Sequence, residues 1–177
     1  MKSKIFLFVY VLFSIVFMEA IFKYSLFNVL FDINTLKVLL FSFSITMFII
    51  LISSFLKQKY YYVLIFILIL IYIIFVSQII YFNIYQSIFS FDSIINGNNV
   101  VKEFIDFIFE IILQNKISIT LMFIPIVVFM VIIFKHKSLR INNFKLHERT
   151  ILTFLMISSH IIVIFSFKIL NDTDEIY

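Results

Sequence analysis

Few side chains in this sequence could do chemistry, and each is isolated in apolar surroundings. Glu19 lies near the far end of an apolar run, with Lys23 four residues on. An ionisable residue inside a membrane is by default a candidate for function. The simpler account is an ion pair, because Glu followed by Lys at i, i+4 is the favourable helical order; the alternative is contact with a lipid head group or a further domain. His160 stands beside Ser158 and Ser159 in the middle of another apolar run, where Ser and His commonly bond across helices. A proton relay from His160 to Glu19 is the more ambitious reading. A metal site needs three or four ligands, and no second histidine shares that depth; with no cysteine in the chain, thiolate sites and disulfides drop out as well. A single glycine excludes a phosphate-cradling glycine loop, and no Ser–His–Asp pattern falls on an outside loop. No inverted repeat of broken spans supports a transporter.

The elements that hold these residues follow from composition. The chain is 63% hydrophobic and 14% charged, against about 45–50% and about 25% in soluble domains. Such a chain cannot cover itself in water. In a bilayer only helices and closed barrels satisfy their own backbone. The apolar runs are continuous rather than alternating, and one Gly and one Pro leave few turns, so helices are expected. The fold class is therefore all-α integral membrane, a single domain over 1–177. Five spans are predicted at about 5–22, 36–56, 60–82, 117–134 and 150–170. The first is expected to be retained, since Phe17, Met18 and Glu19 suit a signal-cleavage site poorly. Tyr60, Tyr61 and Tyr62 open the third span as an interfacial belt would. Pro125 sits inside the fourth and invites a kink. His136 and His147, in the basic loop, are expected to be solvated.

Charge sets the expected orientation. With the N-terminus inside, the inner segments hold nine of the fourteen basic residues and one acid, Glu148, while eight of the ten acids lie outside. Positive charge inside is the rule, so the N-terminus is placed in the cytoplasm and the C-terminus outside. Lys135, Lys137, Arg140, Lys145 and Arg149 then face anionic lipids of the inner leaflet, each worth about 1 kcal/mol. The net charge of +4 is in this setting no sign of nucleic acid. The Phe, Ile, Lys, Asn and Tyr bias suits an AT-rich bacterial genome and a bacterial cell membrane.

One stretch is neither plain span nor basic loop. Tyr81 to Lys116 contains the only glycine, Gly97, flanked by Asn96 and Asn98 as a turn signal. Asn99, Lys102, Glu103, Asp106, Glu110 and Gln114 then recur at helical spacing on one narrow, mostly acidic face. The expected element is an amphipathic interfacial helix over about 99–114, between the third and fourth spans. Lys102 and Asp106 are placed to pair along it. Its functional reading is a platform under an external domain or the rim of a lipid-access groove, with Asp106 and Glu110, together with Glu19 and Lys23, as lipid- or domain-contact residues.

Tyr81, Phe82, Tyr85, Phe89, Ser93, Ile94, Asn96, Gly97, Phe104, Asn115 and Pro125 carry a family resemblance. In order and spacing the region resembles the membrane portion of the lipoteichoic acid synthase family, phosphoglycerol transferases with a sulfatase-like external domain of the alkaline phosphatase superfamily. The five-span layout is similar too. The pattern covers about fifty residues. The resemblance implies a domain that anchors a catalytic domain and presents a lipid such as phosphatidylglycerol for cell-envelope polymer synthesis. The family's threonine nucleophile and divalent metal, typically manganese, belong to that external domain. Asn171–Tyr177 cannot supply it, so no catalytic residue and no cofactor are carried over to this chain, and an external sulfatase-like domain is expected as a partner in cis or in trans. The alternative is a stand-alone five-span accessory or interaction protein without catalysis; a small transporter is a weaker third.

Overall fold

The computed structural model describes residues 2–30, 35–56, 60–86, 105–135 and 144–174. Among them are six helices and no strand. They are α1 (Lys2–Phe27), α2 (Thr35–Ser54), α3 (Tyr60–Tyr85), α4 (Ile105–Gln114), α5 (Lys116–Lys135) and α6 (Leu146–Asp174). All but α4 are long and apolar enough to cross a membrane. The chain is a multi-pass helical membrane protein.

Several helices outrun the expected spans. α1 continues through Lys23 to Phe27, α3 reaches Tyr85, and α6 begins at Leu146, before the expected Thr150. Hydropathy marks where hydrocarbon ends; backbone hydrogen bonding marks where a helix ends. α1 stops where Asn28 turns to φ 55° and its N–H donates to the Tyr24 carbonyl, a left-handed C-cap. α3 stops in the same way at Gln86, φ 53°, whose N–H donates to the Phe82 carbonyl. Asparagine tolerates that conformation and glutamine less so. α4 and α5 are separated only by Asn115, which serves both. Its N–H and Nδ2 donate to the Ile111 carbonyl, while its own carbonyl accepts from the Ile119 N–H.

α1 is the centre. It packs against α2, α3 and α5, and the stripe Leu7, Val11, Ile15 and Met18 is buried. Leu64 and Leu68 of α3, Ile49 and Ile50 of α2, and Met122, Ile126 and Phe129 of α5 complete the core. Ser14, fully buried on α1, donates to the Tyr10 carbonyl and so hides its hydroxyl on its own helix. Thr46, Ser53 and Thr120 do the same, four residues back. α4 lies against α3 and α5. α6 is different: its extensive contact is with α2, and most of its other side chains over 151–165 are exposed.

Pro125 is buried inside α5. Its ring removes an N–H and crowds the preceding turn. The Tyr10 hydroxyl of α1 donates to the Pro125 carbonyl at 2.7 Å, and the Tyr10 ring stacks on Phe129 at 5.1 Å. The proline turn is thus held by a neighbouring helix. We expect Phe129→Ala to destabilise the bundle by about 3–5 kcal/mol and Tyr10→Phe by only about 0.6 kcal/mol, the usual size of an interhelical hydrogen bond in a membrane. Reversible unfolding in mixed micelles measures both, and a larger loss for Tyr10→Phe than for Phe129→Ala would contradict this ordering.

Candidate functional site

α2 and α6 run antiparallel, and two polar contacts fix their register. At one end the Arg149 guanidinium donates from Nη2 to the Ser54 carbonyl at 2.7 Å and stacks over the Phe55 ring at 5.0 Å. That carbonyl is one of the orphans every helix C-terminus leaves. Farther along, Ser44 and His160 Nδ1 lie 3.3 Å apart. From Arg149 to His160 is eleven residues and from Ser54 back to Ser44 is ten, so the paths cover about 15–17 Å at helical rise. With Arg149 and Ser54 taken at the edge of a hydrocarbon layer of about 30 Å, the Ser44–His160 pair falls near its middle.

Around that pair the two helices part. Phe41, Ser44, Ile45 and Phe48 of α2 face Met156, Ile157, His160 and Ile161 of α6 across a groove of about 480 Å³. Small-molecule sites span about 300–1,000 Å³. The groove is apolar except for Ser44 and His160, and it opens sideways. The residues fall at 41, 44, 45, 48 and at 156, 157, 160, 161, one face of each helix. His160 was expected to bond across helices, and it does. Ser158 and Ser159 instead donate to their own helix, at the Leu155 and Met156 carbonyls. Glu19 is on α1 and partly buried, with Lys23 four residues on along the same helix.

The base of the bundle holds a second polar cluster. Lys4 donates to both carboxylate oxygens of Glu148, at 2.7 and 2.6 Å, and lies 4.6 Å from the centre of the Phe144 ring. Glu148 also accepts the Lys145 N–H at 2.7 Å. Glu148 is thus the third residue of α6 reaching back to cap its start, half of a capping box, and also the tie from α6 to α1. Tyr60 packs on Phe144 at 5.4 Å. It is 4% exposed and so no belt residue; Tyr62, at 52% exposed, is the one placed as a belt tyrosine is. The Tyr60 hydroxyl and Arg149 Nε are buried without a partner among the described residues.

The remaining expected site residues are scattered. Lys135 ends α5 at the base, and Lys145 is exposed there. Lys137 and Arg140 lie outside the described residues, as do His136 and the expected Lys102–Asp106 pairing. His147 is exposed. Of the expected acidic platform, Glu110 is exposed on α4 and accepts from Gln114 at 3.3 Å; the Asp106 side chain lies outside those described. Ile111 turns inward while Phe109 and Leu113 are more than 60% exposed. At this end Ser25 of α1 donates to Asn115 Oδ1 at 3.2 Å. Among the described residues no three His, Asp or Glu side chains converge to hold a metal.

Glu148 was the residue that sequence reasoning undervalued. Its signal was present: one acid among nine bases. The Lys4 and Glu148 side chains are 22% and 30% exposed, so water still screens the pair, and a coupling of about 0.5–1 kcal/mol is expected. A double-mutant cycle with Lys4→Met and Glu148→Gln, read by unfolding, measures it. Glu148→Gln alone keeps an acceptor for the Lys145 N–H and should lose less than Glu148→Ala; equal losses would remove the capping role.

We compared the chain with known proteins: no protein-family model, no curated protein and no solved structure matches it.

Proposed function

We propose that this chain is a lipid-binding membrane domain, anchoring and presenting a lipid as the membrane portion of a lipoteichoic-acid-synthase-like phosphoglycerol transferase is expected to do. The observation that carries this reading is the groove between α2 and α6, lined almost wholly by apolar side chains about halfway along both helices. A hydrocarbon tail from one leaflet reaches the groove without leaving the bilayer. From Ser44 to the start of α2 at Thr35 is nine residues, about 14 Å, close to half of the hydrocarbon thickness. A tail whose end lies in the groove thus leaves its head group level with the end of the bundle where α4 lies. There α4 presents Glu110 outward and Phe109 and Leu113 exposed, as an interfacial helix does. A phosphatidylglycerol held this way is offered to an external sulfatase-like domain, in cis or in trans.

The basic end supports the orientation. Lys4, Lys135, Lys145 and Arg149 gather at the base, where α1 and α6 begin and α2 and α5 end. In a bacterial cell membrane that end faces the cytoplasm, with anionic lipids around it, and the α4 end faces outward.

Two measurements test the reading. Ile157→Trp fills the groove, and in native mass spectrometry it should reduce co-purifying phosphatidylglycerol several-fold; retention equal to wild type overturns the groove as a lipid site. Because the chain contains no cysteine, single cysteines placed at Lys145 and Asn28 report topology cleanly. In intact cells a membrane-impermeant maleimide should label Asn28→Cys and spare Lys145→Cys. The reverse pattern inverts the orientation.

A further inference from the structure

Among the buried hydroxyls of α2, Thr46, Ser53 and Ser54 donate to carbonyls of their own helix. Ser44 is 4% exposed, and its partner is His160 Nδ1. The heavy atoms allow either direction for this bond; we infer that Ser44, the more buried partner, is the donor, since a buried hydroxyl without its donor bond costs about 1–3 kcal/mol. That assignment puts the ring proton on Nε2, since a neutral imidazole carries one donor and one acceptor. Among the described residues Nε2 has no partner, and His160 is exposed to the groove. An N–H facing hydrocarbon is costly. The end of an acyl chain cannot accept it, and the ester carbonyls of a phospholipid lie near the membrane surface, about 15 Å away along the helix. Phe41 and Phe48 line the groove one turn to either side of Ser44, and phenyl rings favour the offset faces and edges of other flat π systems.

We propose that the groove also takes a second ligand class, a flat, conjugated, lipid-soluble carbonyl compound of the quinone type, with one ring carbonyl accepting from His160 Nε2. This rests on the groove being open to the membrane, as the lipid reading requires. Ser44 is a positioning residue: it fixes the tautomer that makes Nε2 a donor. The ring lies against Phe41 and Phe48, and an isoprenoid tail leaves sideways among the lipid tails. Quinone and phospholipid tail share one volume of about 480 Å³, so they compete.

The test uses the full chain in phosphatidylglycerol nanodiscs with a short-tailed 1,4-naphthoquinone, ¹³C-labelled at the carbonyls. Empty nanodiscs give the partition background. Wild type should retain the quinone saturably above that background, and the infrared carbonyl stretch should split, one component moving to lower wavenumber. His160→Phe should weaken retention of the quinone about tenfold, the scale of one buried hydrogen bond. His160→Gln keeps an N–H donor and should restore most of the retention. Ser44→Ala should lie between. Retention no greater than in empty discs, an unsplit carbonyl band, or His160→Phe binding as well as wild type each overturns the proposal. The Ile157→Trp variant separates it from the lipid reading: loss of quinone with phosphatidylglycerol retained defeats that reading alone, and retention of both defeats the two together. If His160→Phe lowers the melting temperature, the wild-type carbonyl band and the His160→Gln variant still decide.

Discussion

Lipid tails are as apolar as leucine, so the spans of this protein gain no hydrophobic free energy by choosing one another over the bilayer. Their polar atoms are under a harder constraint, because hydrocarbon offers no partner. Most hydroxyls here resolve it locally. Ser14, Thr46, Ser53, Thr120 and Thr153 each donate to a carbonyl four residues back, become inert, and let helices approach closely. The atoms that cannot resolve it locally reach another helix. Arg149 reaches Ser54, Lys4 reaches Glu148, Tyr10 reaches Pro125, Ser44 reaches His160 and Ser25 reaches Asn115. These contacts lie at successive depths, and together they tie α2 to α6, α1 to α6 and α1 to α5.

The apolar packing then divides in two. Around α1 it is continuous, with Val11, Met18, Leu64, Met122 and Phe129 fully buried. Between α2 and α6 it is interrupted, because the facing side chains flank a mid-depth polar pair and leave a concavity beside it. A helix held chiefly by one neighbour needs its polar anchors more than one surrounded on three sides. α6 has such anchors at its base and at its middle, and it carries the groove. The feature that gives the site its volume also makes α6 the helix whose attachment depends least on packing.

Much of the fold was legible because the signal is additive. Five runs of about twenty apolar residues mark five spans whatever their neighbours do, and all five are present. Helix ends were less legible, since Lys23 and Tyr24 are polar enough to leave hydrocarbon and still continue a helix to Asn28. The site was legible only in pieces. His160 stood out as a polar residue at mid-span, but its partner is one serine among several on α2, and helical periodicity alone does not say which turns outward. Ser44 is selected by register, which is set by Arg149 and Ser54 an additional 15 Å or so away along the helices. Tyr60 misled in the opposite sense. A tyrosine at a span's end normally sits in the interface, yet Phe144 from the chain before α6 folds over this one.

That register has only one good solution. Sliding α6 by one turn along α2, about 5.4 Å, sets His160 beside Leu40 or Phe48 and leaves Nδ1 without its Ser44 partner. The same slide draws Arg149 off the last carbonyls of α2 and pulls Glu148 away from Lys4. Each loss falls on a polar group in or at the edge of hydrocarbon, so the penalties add in one direction. The apolar faces would tolerate the slide, because Ile, Leu and Phe recur all along both helices. Specificity between these two spans therefore comes from a handful of polar atoms.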